Sequence, residues 1–593
     1  MEHQKSIIVL DFGGQYAHLI ARRVRQCGVY SEIRDAETSA KDLKNAAGII
    51  LSGGPQSVYG DGSPQGDPEI FNLGIPVFGI CYGLQWMVHT LGGEVTAGKV
   101  KEYGRAKLRL SNGKSKVTAG LPDEMTVWMS HGDEVTGLPD GFERIGTSDD
   151  CGNAFIAHTE NSVYGVQFHP EVVHTEHGQD LIANFVGLCD ADPWDIGSYV
   201  ESIGDAIRKE VGDRKIFMMV SGGVDSTVAF VLLNKVLGTD RVQGLLVDTG
   251  MMRKDEVVLI GRAFEELGIN NLRIEDASQH FLKKLIEVYE PEDKRWIIGD
   301  AFLSVQKRIS AEMGLTMEDG WMLGQGTIYP DTIETGETKN ADKIKTHHNR
   351  IPEIQQMMEE GLVIEPLRDL YKDEVRALGE ELGLPHDLVW RHPFPGPGLG
   401  VRILCAQSPS KVDDSIDTRI AHAALPVQSV GVQGDGRSYR HAIALFNSDK
   451  YPNDECWNLA TSIPNQSSTF NRVLMCTSHN SAPEFVFSPG YITMERADLL
   501  READALVHRI MYDEGFYADI WQFPVVLLPF GTSEGGQSIV LRPVESQEAM
   551  TANAAVISQN ALKRMTQELL SLNGIDMVFQ DLTHKPPGTI EWE

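Results

Sequence analysis

The sequence predicts an α/β fold for the first two thirds of the chain, with two successive sheets of mostly parallel strands, and an α+β region after them. Three observations predict it. Short apolar runs alternate with helix-period segments from Ser6 to Cys189. The alternation restarts at Ile216. Beyond Arg402 it gives way to long helix-period stretches, Arg496 to Asp513 and Ala554 to Leu572, with strands such as Val525 to Leu528 between them.

The elements follow in order. Ser6 to Leu10 is a buried-type strand that ends in Asp11-Phe12-Gly13-Gly14. Tyr16, Leu19, Ile20 and Val24 then recur at helical spacing, with Arg22, Arg23 and Arg25 on the opposite side. Gly48 to Leu51 and Ile75 to Ile80 are further apolar strands, closed by Ser52-Gly53-Gly54-Pro55 and by Cys81. Thr126 to Met129, Ala154 to Ala157 and Tyr164 to Phe168 read as the far side of the same sheet, and Gln179 to Cys189 as its last helix. A second, doubly wound sheet takes Ile216 to Val220, Val242 to Val247 and Gly320 to Leu323.

Polar, proline-containing stretches mark the boundaries. One lies at Asp190-Ala191-Asp192-Pro193, the other just after Arg402, beyond His392-Pro393-Phe394-Pro395-Gly396-Pro397-Gly398. They divide the chain into 1–192, 193–402 and 403–593, as expected for 593 residues, too many for one core. With 84 acidic and 53 basic residues the formal charge is −31, which argues against nucleic acid or an anionic membrane as partner. An anionic small molecule would need a local basic pocket. The seven cysteines are scattered singly, without a CxxC pair, as in reduced cytosolic proteins. No apolar run is long enough to span a bilayer, so a cytoplasmic location is expected.

Gly79-Ile80-Cys81-Tyr82-Gly83 reads as a cysteine nucleophile elbow, a strand turning sharply into a helix. The turn lifts the sulfur above the sheet edge and presents backbone N–H groups at the helix start. An ordinary thiol is only slightly ionised at neutral pH, so it needs a base. His169 is the candidate. Glu171, two residues on, points the same way in extended backbone and would orient the imidazole. The oxyanion would be held by the N–H of Tyr82 and that of Gly54. Ser52-Gly53-Gly54-Pro55, Gly79 to Gln85, Ser130-His131-Gly132-Asp133 and Phe168 to Glu171 together resemble the class I glutamine amidotransferases. That resemblance implies glutamine as substrate, a Cys81–His169–Glu171 triad, a glutamyl thioester, and glutamine contacts from Gln85, His131 and Asp133. For His131 a purely structural role is an equal alternative.

Ser221-Gly222-Gly223-Val224-Asp225-Ser226-Thr227 follows a strand and opens a helix. Its small residues let successive N–H groups converge on phosphate oxygens. It is not a Walker A loop, since GxxxxGK[ST] is absent. It fits ATP cleaved between the α and β phosphates, with Asp225 a candidate for holding Mg²⁺. The motif resembles the N-type ATP pyrophosphatases, which adenylate an oxygen and let a nucleophile displace AMP.

The remaining motifs are Gly324 to Asp331, Lys345-Thr346-His347-His348-Asn349, His392 to Gly398 and Lys585 to Glu593. With the two sites they resemble the glutamine-hydrolysing GMP synthase family over nearly the full length, least so at 408–424 and 446–489. The resemblance implies that XMP is adenylated and then aminated by glutamine-derived ammonia. It assigns Arg295, Asp435, Gln522, Lys585 and Glu591 to XMP and Lys345 to a lid over ATP. Lys585 and Arg295 would neutralise phosphate. The same chemistry on another acceptor is the alternative. The motifs also suggest that ATP and XMP stimulate glutamine hydrolysis through domain closure, and that a homodimer is possible. Pro586-Pro587 and Trp592 suggest a tail that is tied down.

Overall fold

A computed structural model describes residues 5–593 apart from 15, 61, 112–114, 316–318, 335–356, 413–415, 417, 434–435 and 547–551. The chain forms two compact units, Met1–Gly212 with Gly326–Glu381, and Asp213–Gln325 with Leu382–Glu593.

The first unit is built on a nine-stranded sheet. Ser31–Asp35, Ile7–Asp11, Gly48–Leu51, Val77–Ile80 and Val163–Val166 lie side by side and parallel. Antiparallel strands Phe155–His158, Phe142–Thr147, Glu94–Leu110 and Glu124–Gly137 continue it. Because successive side chains point to opposite faces, Ile7 and Val9 enter one core and Ile8 and Leu10 the other. Both faces of the parallel half are thus buried, which explains its unbroken apolar strands. The long hairpin Glu94–Leu110 and Glu124–Gly137 extends well beyond the short strand expected at Thr126 to Met129.

Helix Ala17–Arg25 forms where the periodicity places it, but Arg25 is not on its solvent side. The guanidinium is buried, pairs with Glu374 at 2.9 Å and lies over the rings of Tyr30 and Tyr371, at 4.4 and 5.0 Å from their centroids. Aromatic faces and a carboxylate replace the water it would otherwise seek.

In the second unit, four parallel strands run in the order Leu272–Asp276, Val242–Asp248, Lys215–Met219, Trp321–Gly324. The chain leaves Lys215–Met219 in both lateral directions, so the strand order reverses there. Ligands of open α/β sheets bind at the carboxyl end of such a strand, and that is where Ser221 to Thr227 lies. A six-stranded mixed sheet follows, ordered Ala421–Gln433, Gly436–Phe446, Phe470–Cys476, Ile575–Asp581, Gln537–Leu541, Val525–Leu528. Helices Met494–Asp513 and Gln559–Leu570 accompany it, as an α+β region should. The second helix begins later than the expected Ala554, because Asn553–Ala554 pairs with Val544–Glu545 and Ser558 caps the helix by accepting from the Ala561 N–H. The stretch 446–489, where the family resemblance is weakest, supplies the fully buried strand Phe470–Cys476 near the middle of this sheet. No described helix is long and apolar enough to cross a membrane.

Candidate active site

Two clusters stand out, one in each unit. In the first, strand Val77–Ile80 ends at Cys81, whose φ of 50° and ψ of −106° lie where non-glycine residues are strained. The turn is held on both sides: the Cys81 N–H donates to Val166 O at 2.8 Å and the Gly83 N–H to Ser52 O at 3.0 Å. Helix Tyr82–Thr90 starts immediately, so the Tyr82 N–H has no carbonyl one turn earlier in its own helix. The Cys81 Sγ donates to Ser130 O at 3.7 Å and accepts from Gln167 Nε2 at 3.7 Å.

His169 and Glu171 share one short segment. Nδ1 of the ring meets Glu171 Oε1 at 2.7 Å, and Glu171 is fully buried. The backbone between them is fastened by His169 N–H to Trp128 O at 3.0 Å, Thr175 Oγ1 to His169 O at 2.6 Å and Arg23 Nε to Glu171 O at 2.9 Å. Burial, the largest single influence, opposes a charged imidazole. The Glu171 charge and the contact with Cys81 together outweigh it and hold the ring well above the usual histidine range. A Cβ added to Gly53 would sit 3.2 Å from His169 Cε1 and 3.8 Å from Cys81 Cβ, so that glycine borders both the imidazole and the cysteine. One on Gly54 would meet Phe12 O at 2.7 Å and Tyr82 Cγ at 3.0 Å, so Gly54 packs against the Tyr82 ring.

Gln85 and His131 converge on one carbonyl. Gln85 Nε2 donates to Asp133 O at 2.9 Å and to Gln167 Oε1 at 3.1 Å. His131 uses Nδ1 on Asp133 O at 3.0 Å and Nε2 on Glu102 at 3.2 Å, so both ring nitrogens brace the wall of the cluster. The Asp133 carboxylate accepts the Tyr59 hydroxyl at 2.8 Å.

In the second unit, the loop from Ser221 is shaped by its own hydroxyls. Ser226 Oγ accepts from the Ser221 N–H and donates to Gly223 O, both at 3.1 Å. Gly222 has φ of 80°, and a Cβ there would meet Ile260 Cδ1 and Met252 Cε at 3.1 Å. The first intrahelical bond runs from Thr227 N–H to Gly223 O at 3.1 Å, so the N–H groups of Val224, Asp225 and Ser226 precede it. Asp225 stands in the first turn of helix Val224–Leu237. Mg²⁺ is usually held by one or two carboxylates together with substrate phosphates, and Asp225 beside such a loop fits that donor set.

Farther along the same unit, the tail is locked in place. Arg402 Nε and Nη2 donate to the two oxygens of Glu591, each at 3.0 Å, and Gln522 Nε2 donates to Glu591 Oε1 at 3.0 Å. Arg295 Nη2 donates to Glu593 O. Lys585 exchanges backbone hydrogen bonds with Ala552 at 2.7 and 3.1 Å. Trp592 is fully buried and its Nε1 donates to Asp581 at 3.1 Å. Gln522 meets Glu591, Arg295 is tied to the neighbouring Glu593, and Lys585 is placed by its backbone pairing with Ala552, while Lys345 and Asp435 lie outside the described residues.

Three family models match the chain: glutamine amidotransferase class-I over residues 8–188, NAD synthase over 196–295 and GMP synthase C terminal domain over 509–592. Over 610 aligned residues it is 46% identical to a probable glutamine-hydrolysing GMP synthase of Leptospira interrogans, spanning 99% of each chain. The chain belongs to the glutamine-hydrolysing GMP synthase family. It is also 39% identical to the GMP synthase of Macrococcus caseolyticus and 38% to that of Bacillus mycoides, again across at least 99% of each chain. As a member of the GMP synthase family it carries the cysteine cluster inside the first match, the Ser221 loop and Arg295 inside the second, and Gln522, Lys585 and Glu591 inside the third.

Three further residues reach these clusters without a motif to announce them. Gln167 touches both Cys81 and Gln85 while fully buried. A polar residue in the apolar run Val163 to Phe168 was its only signal. Tyr16 packs edge-on against His169 with ring centroids 5.3 Å apart, where its spacing read as plain helix core. Arg402 follows a glycine- and proline-rich run and reads as a boundary residue.

Proposed function

We propose that the chain hydrolyses glutamine at Cys81 and uses the ammonia to aminate XMP, activated by ATP, to GMP. What carries this reading is a strained cysteine elbow with its His169–Glu171 pair on the same chain as an open pyrophosphate-type loop. The division of labour follows the segments 1–192, 193–402 and 403–593.

In the first half-reaction the Cys81 thiolate attacks the side-chain carbonyl of glutamine. The N–H groups of Tyr82 and Gly54 receive the oxyanion. His169, charged through Glu171, gives its proton to the departing ammonia and then takes one from the water that opens the thioester. Gln85, His131 and Asp133 form the wall against which glutamine is held, Gln85 and His131 by fixing the Asp133 carbonyl and Asp133 by its carboxylate.

In the second, the loop Ser221 to Thr227 cradles the phosphates of ATP through the N–H groups of Val224, Asp225 and Ser226 at its helix start, with Lys345 covering them. The C2 oxygen of XMP attacks the α-phosphorus and pyrophosphate leaves. Ammonia then adds at C2 and AMP departs. Mg²⁺, held by Asp225, would neutralise phosphate charge. Arg295 and Lys585 bind the XMP phosphate, and Asp435, Gln522 and Glu591 hydrogen-bond the nucleoside.

The deciding assay is AMP release from ATP with and without XMP. We expect release only when XMP is present, supported by glutamine or by ammonia. AMP release indifferent to XMP would replace XMP with another acceptor.

A further inference from the structure

We propose that Arg402 is the positioning residue that aims the Glu591 carboxylate at the nucleotide, with Asp504 balancing its charge. The proposal rests on the reading of Glu591 as an XMP contact and adds the residue that makes it one. Arg402 is 1% exposed, and its fork takes both Glu591 oxygens at 3.0 Å. Such a bidentate pair fixes the plane of the carboxylate as well as its place. Gln522 occupies Glu591 Oε1 as well. A carboxylate offers about four lone-pair directions. Among the described residues, Arg402 and Gln522 take both directions on Oε1 and one on Oε2, which leaves one on Oε2. Glu591 therefore accepts a single donor in a set direction, as recognition of one hydroxyl or ring N–H requires. Its side chain is 16% exposed, so a ligand can reach it.

The Arg402 backbone is held independently of the tail, and its guanidinium is flanked by Phe394 and Asp504. The Arg402 N–H donates to Leu399 O at 2.9 Å, its carbonyl accepts from Leu527 at 2.8 Å, and the Phe394 ring lies 5.0 Å from Cζ. Nη1 faces Asp504 Oδ1 at 3.5 Å, an ion pair between two buried groups. Burial works against the Arg402 charge, but Glu591 and Asp504 outweigh it and raise its pKa. The Glu591 backbone, in turn, does not need Arg402: Arg472 Nη2 donates to Glu591 O at 3.2 Å and the Val430 N–H to Trp592 O at 2.9 Å. What Arg402 controls is the direction of one carboxylate.

The test is XMP kinetics with ammonia as nitrogen donor, for R402K, R402Q, E591Q and R402Q/E591Q. R402Q strands the Asp504 carboxylate, so R402Q/D504N, screened for wild-type thermal stability, accompanies it. We expect R402K, R402Q and R402Q/D504N to raise KM for XMP about tenfold or more with a smaller change in kcat, since lysine keeps the charge but not the fork. The double variant R402Q/E591Q should be no worse than E591Q, because both act through one carboxylate. An unchanged KM in R402K and R402Q/D504N, or losses that multiply in R402Q/E591Q, would overturn the proposal. A wild-type KM in E591Q itself would overturn it at its base, by removing Glu591 from the nucleotide site.

Discussion

The cysteine cluster and the tail cluster solve different problems. At Cys81 the proposed reacting groups come from short stretches of backbone: a strand, a turn and a helix place the sulfur, and an i, i+2 pair places the imidazole and the carboxylate. Around Glu591 the groups come from residues 295, 402, 504, 522 and 591: side chains pair 402, 504, 522 and 591 with one another, and Arg295 is tied to the Glu593 carbonyl. A small reaction can be coded by contiguous motifs. Under the proposed function the tail cluster recognises a nucleotide, which needs many directions at once, and fastening distant residues with buried charge would supply them.

If the first region is as self-contained as this, a single change should disable it alone. E171Q removes the charge that keeps His169 protonated, and we expect glutamine-dependent turnover to fall about 10²- to 10⁴-fold while ammonia-dependent GMP formation is kept. Parallel assays with the two nitrogen donors check this. A comparable loss in both would mean that the regions are not independent.

The second region should fail through its scaffold. Asp581 is shared by Arg472 and Arg542, each at 2.9 Å and all three fully buried, and it also accepts from Trp592. Burial, followed by the like charge of Arg542, already pulls Arg472 down to about 9. D581N leaves two unbalanced guanidiniums, so we expect a loss of about 3–5 kcal/mol in the unfolding of the second unit, read by denaturant titration. XMP-dependent AMP release should disappear with it, and glutamine hydrolysis should persist.

The smallest effect separates the regions by pH. Burial and the neighbouring His508 push His392 down to about 3, and burial pushes His508 down to about 4 despite Asp504. Both rings are neutral in the folded state and bind protons on unfolding below 6.5, so their contribution is intact above that pH and is lost as pH falls toward 3. His169 has the opposite sign. Its raised pKa makes a contribution that is full below 6.5 and is lost as pH climbs through that raised value. Denaturation curves across this range should show the second unit weakening in acid, and H392F/H508F should flatten that slope.

The legible part of the sequence was the part governed by local rules. Apolar runs closed by glycine announced the parallel strands, and the elbow announced Cys81, because strand, turn and helix periodicities depend on near neighbours. The long antiparallel hairpin was less legible, since half its face is solvated and its strands read as mixed polar sequence. Charged residues were misplaced whenever a distant partner buried them. Arg25 reads as surface from its spacing although Glu374 and the tyrosines enclose it, and Arg472 lies in a stretch where the family resemblance is weakest. Spacing alone carries no signal for a partner more than a hundred residues away.

The central claim is that ammonia is made in one region and used in the other. Cys81→Ala tests it most directly, with GMP formation followed from XMP and ATP. Product should be absent with glutamine and form at near wild-type rates with ammonia. Loss of product with both donors, in a folded enzyme, would contradict it.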